Sequence, residues 1–227
     1  MAISFQGLRA KEGACAGSYT SMYSLCAKPD CRGALTDVLA EITERADSIP
    51  GIEHYSCVQS RNHPDVFQVF YRRKRFFPYL LNSDSTLTRS LMKRLKKYAI
   101  RPTRDRFLPI GHVQLPHDAN RPPPKIVVSV TMIAKPDCIS SMPSVLRSGR
   151  DIVHAISGNY RIEHSQSVAR PEFFHTNLEW ESLEAFNAYM QSPVFEQVVG
   201  PIVPKLSSRT LDILDVIGYS DKSGSPL

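Results

Sequence analysis

At 227 residues, with 42% hydrophobic and 22% charged side chains, the chain has the make-up of a soluble globular protein and enough length for one or two domains. Its net charge of +6 admits nucleic acid, an acidic partner or an anionic substrate, yet no RNP-type aromatic pattern, helix-turn-helix spacing or zinc finger accompanies it. The most apolar stretch, residues 126–134, is too short to span a bilayer and contains Ser129 and Thr131, so the expectation is a cytoplasmic protein with no nucleic-acid or membrane partner.

Residues 1–17 carry Arg9 and Lys11 and lack the apolar core of a signal peptide, which predicts a short disordered lead. A β-rich segment, 18–25, runs into the turn Lys28-Pro29-Asp30. Asp30 is a candidate cap for a helix whose Leu35, Val38, Leu39, Ile42 and Ala46 fall at amphipathic spacing, and Gly51 closes it. Two strands, 52–60 and 65–72, follow as a hairpin through Pro64. The next helical region covers 76–82 and 90–98. There Leu91, Met92, Leu95 and Tyr98 make a stripe, while Lys93, Arg94, Lys96 and Lys97 face out. Twelve Lys or Arg crowd residues 72–106, and this basic run reads as a solvated face. A strand at 104–110 ends the unit, and a Pro-rich linker, 115–124, follows it.

The chain then repeats itself. Ala27-Lys28-Pro29-Asp30-Cys31 recurs as Ala134-Lys135-Pro136-Asp137-Cys138, and the same offset of 107 residues places Gly51 on Gly158, Gln59-Ser60 on Gln166-Ser167, Phe67 on Phe174 and Ile110-Gly111 on Ile217-Gly218. The second copy predicts a strand at 125–132 and an Asp137-capped helix bearing Met142, Val145, Leu146, Gly149 and Val153. A hairpin of 159–167 and 172–179, helices at 183–191 and 194–206, and a strand at 210–217 complete it. Apolar patterning stops at Tyr219, leaving 220–227 as a tail.

The order βαββαβ, read twice, gives an α+β fold: two tandem ferredoxin-like repeats (18–114 and 125–219) forming an intrachain, pseudo-dimeric α/β barrel. The bare face of each sheet is covered by the other repeat, so the expected assembly is a monomer or a homodimer of that pseudo-dimer. Five cysteines is an odd count, and Cys31 and Cys138 are repeat equivalents. Buried free thiols are therefore expected in place of disulfides or a zinc site. GxGxxG, P-loop, GxSxG and HExxH elements are all missing from the sequence.

The run Leu178-Glu179-Trp180-Glu181-Ser182-Leu183-Glu184-Ala185-Phe186, followed by Tyr189 and by Ser192-Pro193-Val194-Phe195, resembles the antibiotic biosynthesis monooxygenase (ABM) family of dimeric α/β barrels. The first repeat is similar to the same family through Ile49-Pro50-Gly51-Ile52, His54-Tyr55 and Val66-Phe67-Gln68-Val69-Phe70. The resemblance implies a pocket between sheet and helices in which a cofactor-free enzyme oxidises an electron-rich phenol, anthrone or quinol. Such a tailoring enzyme of secondary metabolism, acting on a polyketide-like aromatic, needs no bound cofactor because the deprotonated substrate reduces oxygen itself. Family relatives that degrade haem carry an axial His after the Ser-Pro-x-Phe turn. This chain reads Glu196-Gln197-Val198-Val199 there, which disfavours haem.

The candidate catalytic residues are then His175, His164, Tyr189 and Trp180, and the candidate substrate-binding residues are Asn177, Phe173, Tyr160, Phe186 and Arg73. Trp180 is either a flat wall for an aromatic ligand or a packed core residue. Strand parity puts Phe173, His175, Asn177 and Glu179 on one face and Phe174, Thr176, Leu178 and Trp180 on the other, and only one set can line a pocket. The offset places Arg73 opposite Trp180 and Asn82 opposite Tyr189, so the working site is expected in the second repeat, with Arg73 as a possible anion contact. Cyclisation, isomerisation, dehydration or decarboxylation on the same barrel is the alternative chemistry. A binding module without turnover is the third reading.

Overall fold

Ile126, Val127, Val128, Val130, Thr131 and Ile133 are β-branched, and residues 126–128 are buried on both faces. A strand covered from both sides requires a layer above it and another below, and the rest of the chain supplies them. In a computed structural model, which describes residues 18–46, 52–74, 93–112 and 122–222, the described residues form eight strands. These are β1 (Ser18–Ala27), β2 (Ile52–Ser60), β3 (Val66–Lys74), β4 (Ala99–His112), β5 (Ile126–Ala134), β6 (Asn159–Ser167), β7 (Phe173–Trp180) and β8 (Leu206–Asp221). The helices are α1 (Arg32–Ala46), helical residues 93–98 (α2), α3 (Met142–His154), α4 (Leu183–Met190) and α5 (Pro193–Val199).

All strand pairings are antiparallel and close into one barrel in the order β1-β3-β2-β8-β5-β7-β6-β4. Each repeat contributes the four-strand order of a ferredoxin-like unit, and two seams, β2 with β8 and β4 with β6, join the units. The seams are mutually symmetric. Ser60 faces Leu214 across one, and its repeat equivalents, Ser167 and Phe107, face one another across the other. Within the repeats, Tyr19 faces Arg73 as Ile126 faces Trp180, and the bulge at Ile52/His54 recurs at Asn159/Arg161. Backbone register thus preserves the duplication where side chains have diverged.

Several expected boundaries move. β4 and β8 are longer than their apolar patterning because each is paired on both edges, so backbone hydrogen bonds carry them past the buried residues. Ser220 and Asp221, expected in the tail, pair with Tyr55 and His54. Asp30 has φ 62 and forms the turn before α1, so it does not cap that helix. Asp137 sits in a short 3-10 turn, and α3 starts only at Met142, after Ser141. The helix expected at 194–206 stops at Val199, before Gly200-Pro201, and a 3-10 turn at Val203–Lys205 leads into β8. Cys57 is buried, but Cys26, Cys31 and Cys138 are only half-buried, and all four are free thiols. Arg72 and Arg73 belong to the interior, whereas Lys93, Lys96 and Lys97 of the basic run are exposed. The expected lead, most of the linker, the 76–82 helix, Asn82 and residues 223–227 lie outside the described residues.

The apolar stripe of α1 buries Leu35, Val38, Leu39, Thr43 and Ala46, and α3 buries Met142, Leu146, Gly149 and Val153. Each of these helices also reaches the last strand of the other repeat, α1 onto β8 and α3 onto β4. Glycine permits both approaches. Gly111 has φ 63, and a Cβ at Gly218 would lie 2.6 Å from Thr43 Cβ. Replacing Gly218 with alanine is therefore expected to cost about 1–3 kcal/mol through overpacking of α1 on β8, measurable as a lower urea midpoint. Unchanged stability would show that α1 does not rest on that strand as described.

Candidate functional site

The sheet divides the molecule into compartments, because successive side chains of a strand point to opposite faces. On β7 the even-numbered residues Phe174, Thr176, Leu178 and Trp180 lie under α3–α5, with Phe174 packed by Met142 and Leu146 and Trp180 by Phe186 and Tyr189. The odd-numbered ones point into the barrel lumen, where Phe173 and His175 meet Phe107.

Beneath the helices of the second repeat, Trp180 is completely buried. It meets the edge of Phe186 at 5.8 Å and stacks on Tyr189 at 5.4 Å between ring centroids. Tyr189 in turn meets Phe195 edge-on at 5.5 Å, and burial pushes its phenol up to about 12. This is a packed aromatic core, so of the two readings of Trp180 the geometry gives the core one. Its indole Nε1 nevertheless has no hydrogen-bond partner. Tyr160 is buried within the bulge between Asn159 and Arg161.

His164 occupies the same face, separated from the aromatic stack by Ile162 and Leu178. From Thr176 to Trp180 is four strand residues, about 13 Å. Its Nδ1 lies 2.7 Å from the Thr176 hydroxyl, its register partner on β7. Burial, aided by the positive charge of Arg150, holds the imidazole down at about 3, so the ring is neutral at physiological pH. Arg150 comes from α3 and lies against Gly111.

The lumen holds His175, Asn177 and Phe173. His175 Nε2 is 2.9 Å from Ser129 Oγ, and its ring lies 5.3 Å from Phe70 and 5.6 Å from Phe107. Burial lowers this imidazole to about 4. Phe173 meets Phe107 at 5.9 Å under the guanidinium of Arg170, and Asn177 Oδ1 is buried without a partner.

The other end of the lumen is charged. Arg72 reaches Glu163 at 3.3 Å and Glu53 at 3.1 Å, and Arg161 reaches Glu163 at 3.4 Å and Asp221 at 3.3 Å. Thr20 donates to Glu163, Tyr219 donates to Glu179, and His54 Nε2 stands 3.1 Å from Glu179. An Arg161 N–H sits 2.9 Å from His54 Nδ1. A guanidinium only donates, so Nδ1 is the acceptor and the ring proton is on Nε2, facing Glu179. Burial alone would raise Glu163, but Arg72 and Arg161 hold it down at about 2. Burial likewise works against the Arg161 charge, and Glu179, Glu163 and Asp221 more than offset it.

Arg73 belongs to neither group. It is buried in the first repeat, donating to Tyr19 Oη at 3.2 Å. The nine candidate residues therefore split four ways. Trp180, Tyr189, Phe186 and His164 lie under the helices, His175, Asn177 and Phe173 lie in the lumen, Tyr160 is buried in the β6 bulge, and Arg73 lies in the other repeat. Sequence reasoning missed Thr176, although it is the register partner of His164. It also missed the lumenal charges Arg72, Arg161 and Glu163, whose signal was unlike residues at equivalent positions of a repeat.

Residues 125–200 match the family described as antibiotic biosynthesis monooxygenase. The second repeat is thus similar to that family over most of its length. No curated protein matches the sequence significantly. Among solved structures, a monooxygenase candidate from Lactobacillus acidophilus NCFM superposes with TM-score 0.77 at 9% identity, over 91% of this chain and 97% of that one. A second candidate, from Fusobacterium nucleatum, gives 0.79 at 6% identity over 92% and 96%. An anthrone oxidase-like protein gives 0.64 at 13% identity over 95% and 99%. At such identities the likeness is one of fold, and it extends the barrel to nearly the whole chain.

No described helix is long and apolar enough to cross a membrane. Within the second repeat the two buried imidazoles set a pH dependence of stability. Each is neutral when folded and protonates at about 6.5 when unfolded, so the unfolded chain binds more protons below that pH. Stability is therefore fully present above about pH 6.5 and falls as pH drops toward about 4. Chemical denaturation at pH 7 and pH 5 should show this loss, and H164Q/H175Q should flatten it. An unflattened profile would mean that neither imidazole is buried neutral.

Proposed function

We propose that the second repeat binds an electron-rich aromatic small molecule under α3–α5 and oxidises it with molecular oxygen and no cofactor, His164 acting as the base. The observation that carries this reading is a buried imidazole held at Nδ1 by Thr176, on the sheet face that also bears the Trp180–Tyr189 stack; the burial that lowers its proton affinity would be offset by the substrate anion formed beside it. In the tautomer whose Nδ1–H donates to the Thr176 hydroxyl, Nε2 keeps its lone pair and takes a proton from a substrate hydroxyl or activated methylene. Arg150, close enough to repel a proton from His164, would stabilise the anion so formed. That anion passes an electron to oxygen and the radicals recombine. For a methylene flanked by aromatic rings the balance is CH2 plus O2 to C=O plus H2O, with one oxygen atom kept by the product.

In this scheme Thr176 is a positioning residue and the apolar wall beside His164 comes from Ile162 and Leu178, backed by the packed Trp180 core. His175, Asn177 and Phe173 are separated from the substrate by the sheet, and Arg73 lies in the other repeat. An oxygen electrode with anthrone, and separately with a quinol, tests the proposal. Oxygen uptake is expected, with kcat reduced about 10²–10³-fold in H164Q and kept within a few-fold in H175Q. Uptake that survives H164Q would remove the base from His164. Turnover continuing under nitrogen would replace oxygenation with an isomerisation, cyclisation or related proton-transfer reaction.

A further inference from the structure

His54 and Arg161 are 107 residues apart, the repeat offset, and they touch each other at 2.9 Å. A residue in contact with its own counterpart lies on the two-fold axis relating the copies, so this pair marks the pseudo-axis of the barrel. The offset also makes Ser56 the counterpart of Glu163 and Arg72 the counterpart of Glu179. Each of these three positions holds unlike residues in the two repeats, and every contact of the inner network joins them: Arg72 to Glu163, His54 to Glu179, His54 to Arg161 and Arg161 to Glu163.

Applying the two-fold to one repeat alone removes the match. Two copies of the second repeat would set Arg161 against Arg161 and, where Arg72 now meets Glu163, would set Glu179 against Glu163, twice over; Arg161 would also meet Glu179 where His54 does now, but two guanidiniums would then face four buried carboxylates. All of these side chains are more than nine-tenths buried, so water could not screen the repulsion. Two copies of the first repeat would give each Arg72 a serine in place of its inner carboxylate. We infer that the lumenal face of each repeat is an interaction surface selective for the unlike repeat, so that the second repeat accepts a first repeat and refuses another copy of itself. Buried ion pairs add little net stability when intact and cost several kcal/mol when one partner is lost. Here they discriminate between partners that share one backbone register.

The full-length chain tests this by exchange. One triple variant, H54R/S56E/R72E, gives the first repeat the second's lumenal set. Another, R161H/E163S/E179R, does the reverse. The six-fold variant swaps both sets and regenerates each inner contact in its mirror position. Thr20 and Glu53 are not exchanged, so full recovery is not expected. Urea midpoints, with far-ultraviolet circular dichroism to establish folding, are expected to fall in both triples and to rise again in the six-fold variant above either of them. Soluble, folded six-fold protein where a triple aggregates counts as the same result. A six-fold variant no more stable than the triples, or triples as stable as the parent, would overturn the inference.

Discussion

Strand β8 hydrogen-bonds on one edge to β5 of its own repeat and on the other to β2 of the first, and β4 does the same in mirror image between β1 and β6. A four-stranded sheet with helices on one face has two unpaired edges and one bare face, each costly in water. Because the second copy lies in the same chain, both edges and the face are satisfied at once. The lumen, the helix-covered compartments and the reach of α1 and α3 onto the opposite repeat all follow from that closure. The registers confirm that it is a two-fold arrangement, since equivalent residues meet in equivalent ways at both seams.

Much of the architecture was legible in the sequence because the repeat gave every element a second witness. The strands at 52–60 and 159–167 matched their predicted bounds, and Gly158 takes the left-handed conformation expected beyond a helix. Edges were less legible where length is set by pairing and not by burial: β4 and β8 continue through exposed residues because a neighbouring strand holds them on each side. Capping failed at Asp30 and Asp137 for a local reason. Both lie beside a proline in a tight turn, and the helix begins only after that turn is complete.

The site was legible to a smaller degree. Parity separated the two faces of β7 correctly, but sequence could not say that Trp180 would be enclosed by Phe186, Tyr189 and Phe195, since those contacts depend on how α4 and α5 settle on the sheet. The charge run at 72–106 looked like one surface feature, yet alternation sends Arg72 into the lumen and Arg73 to the opposite face of β3, against Tyr19. A residue-by-residue comparison of the two copies, looking for differences instead of matches, is the reading that would have found the lumenal network.

The sheet that parts lumen from helices is a single residue thick, and neighbouring positions of β7 carry opposite duties. Inserting or deleting one residue inside that strand would turn its side chains over wholesale, sending the indole toward Arg161 and the His175 ring beneath α3. One-residue length changes are therefore far costlier inside β7 than in the connections between strands.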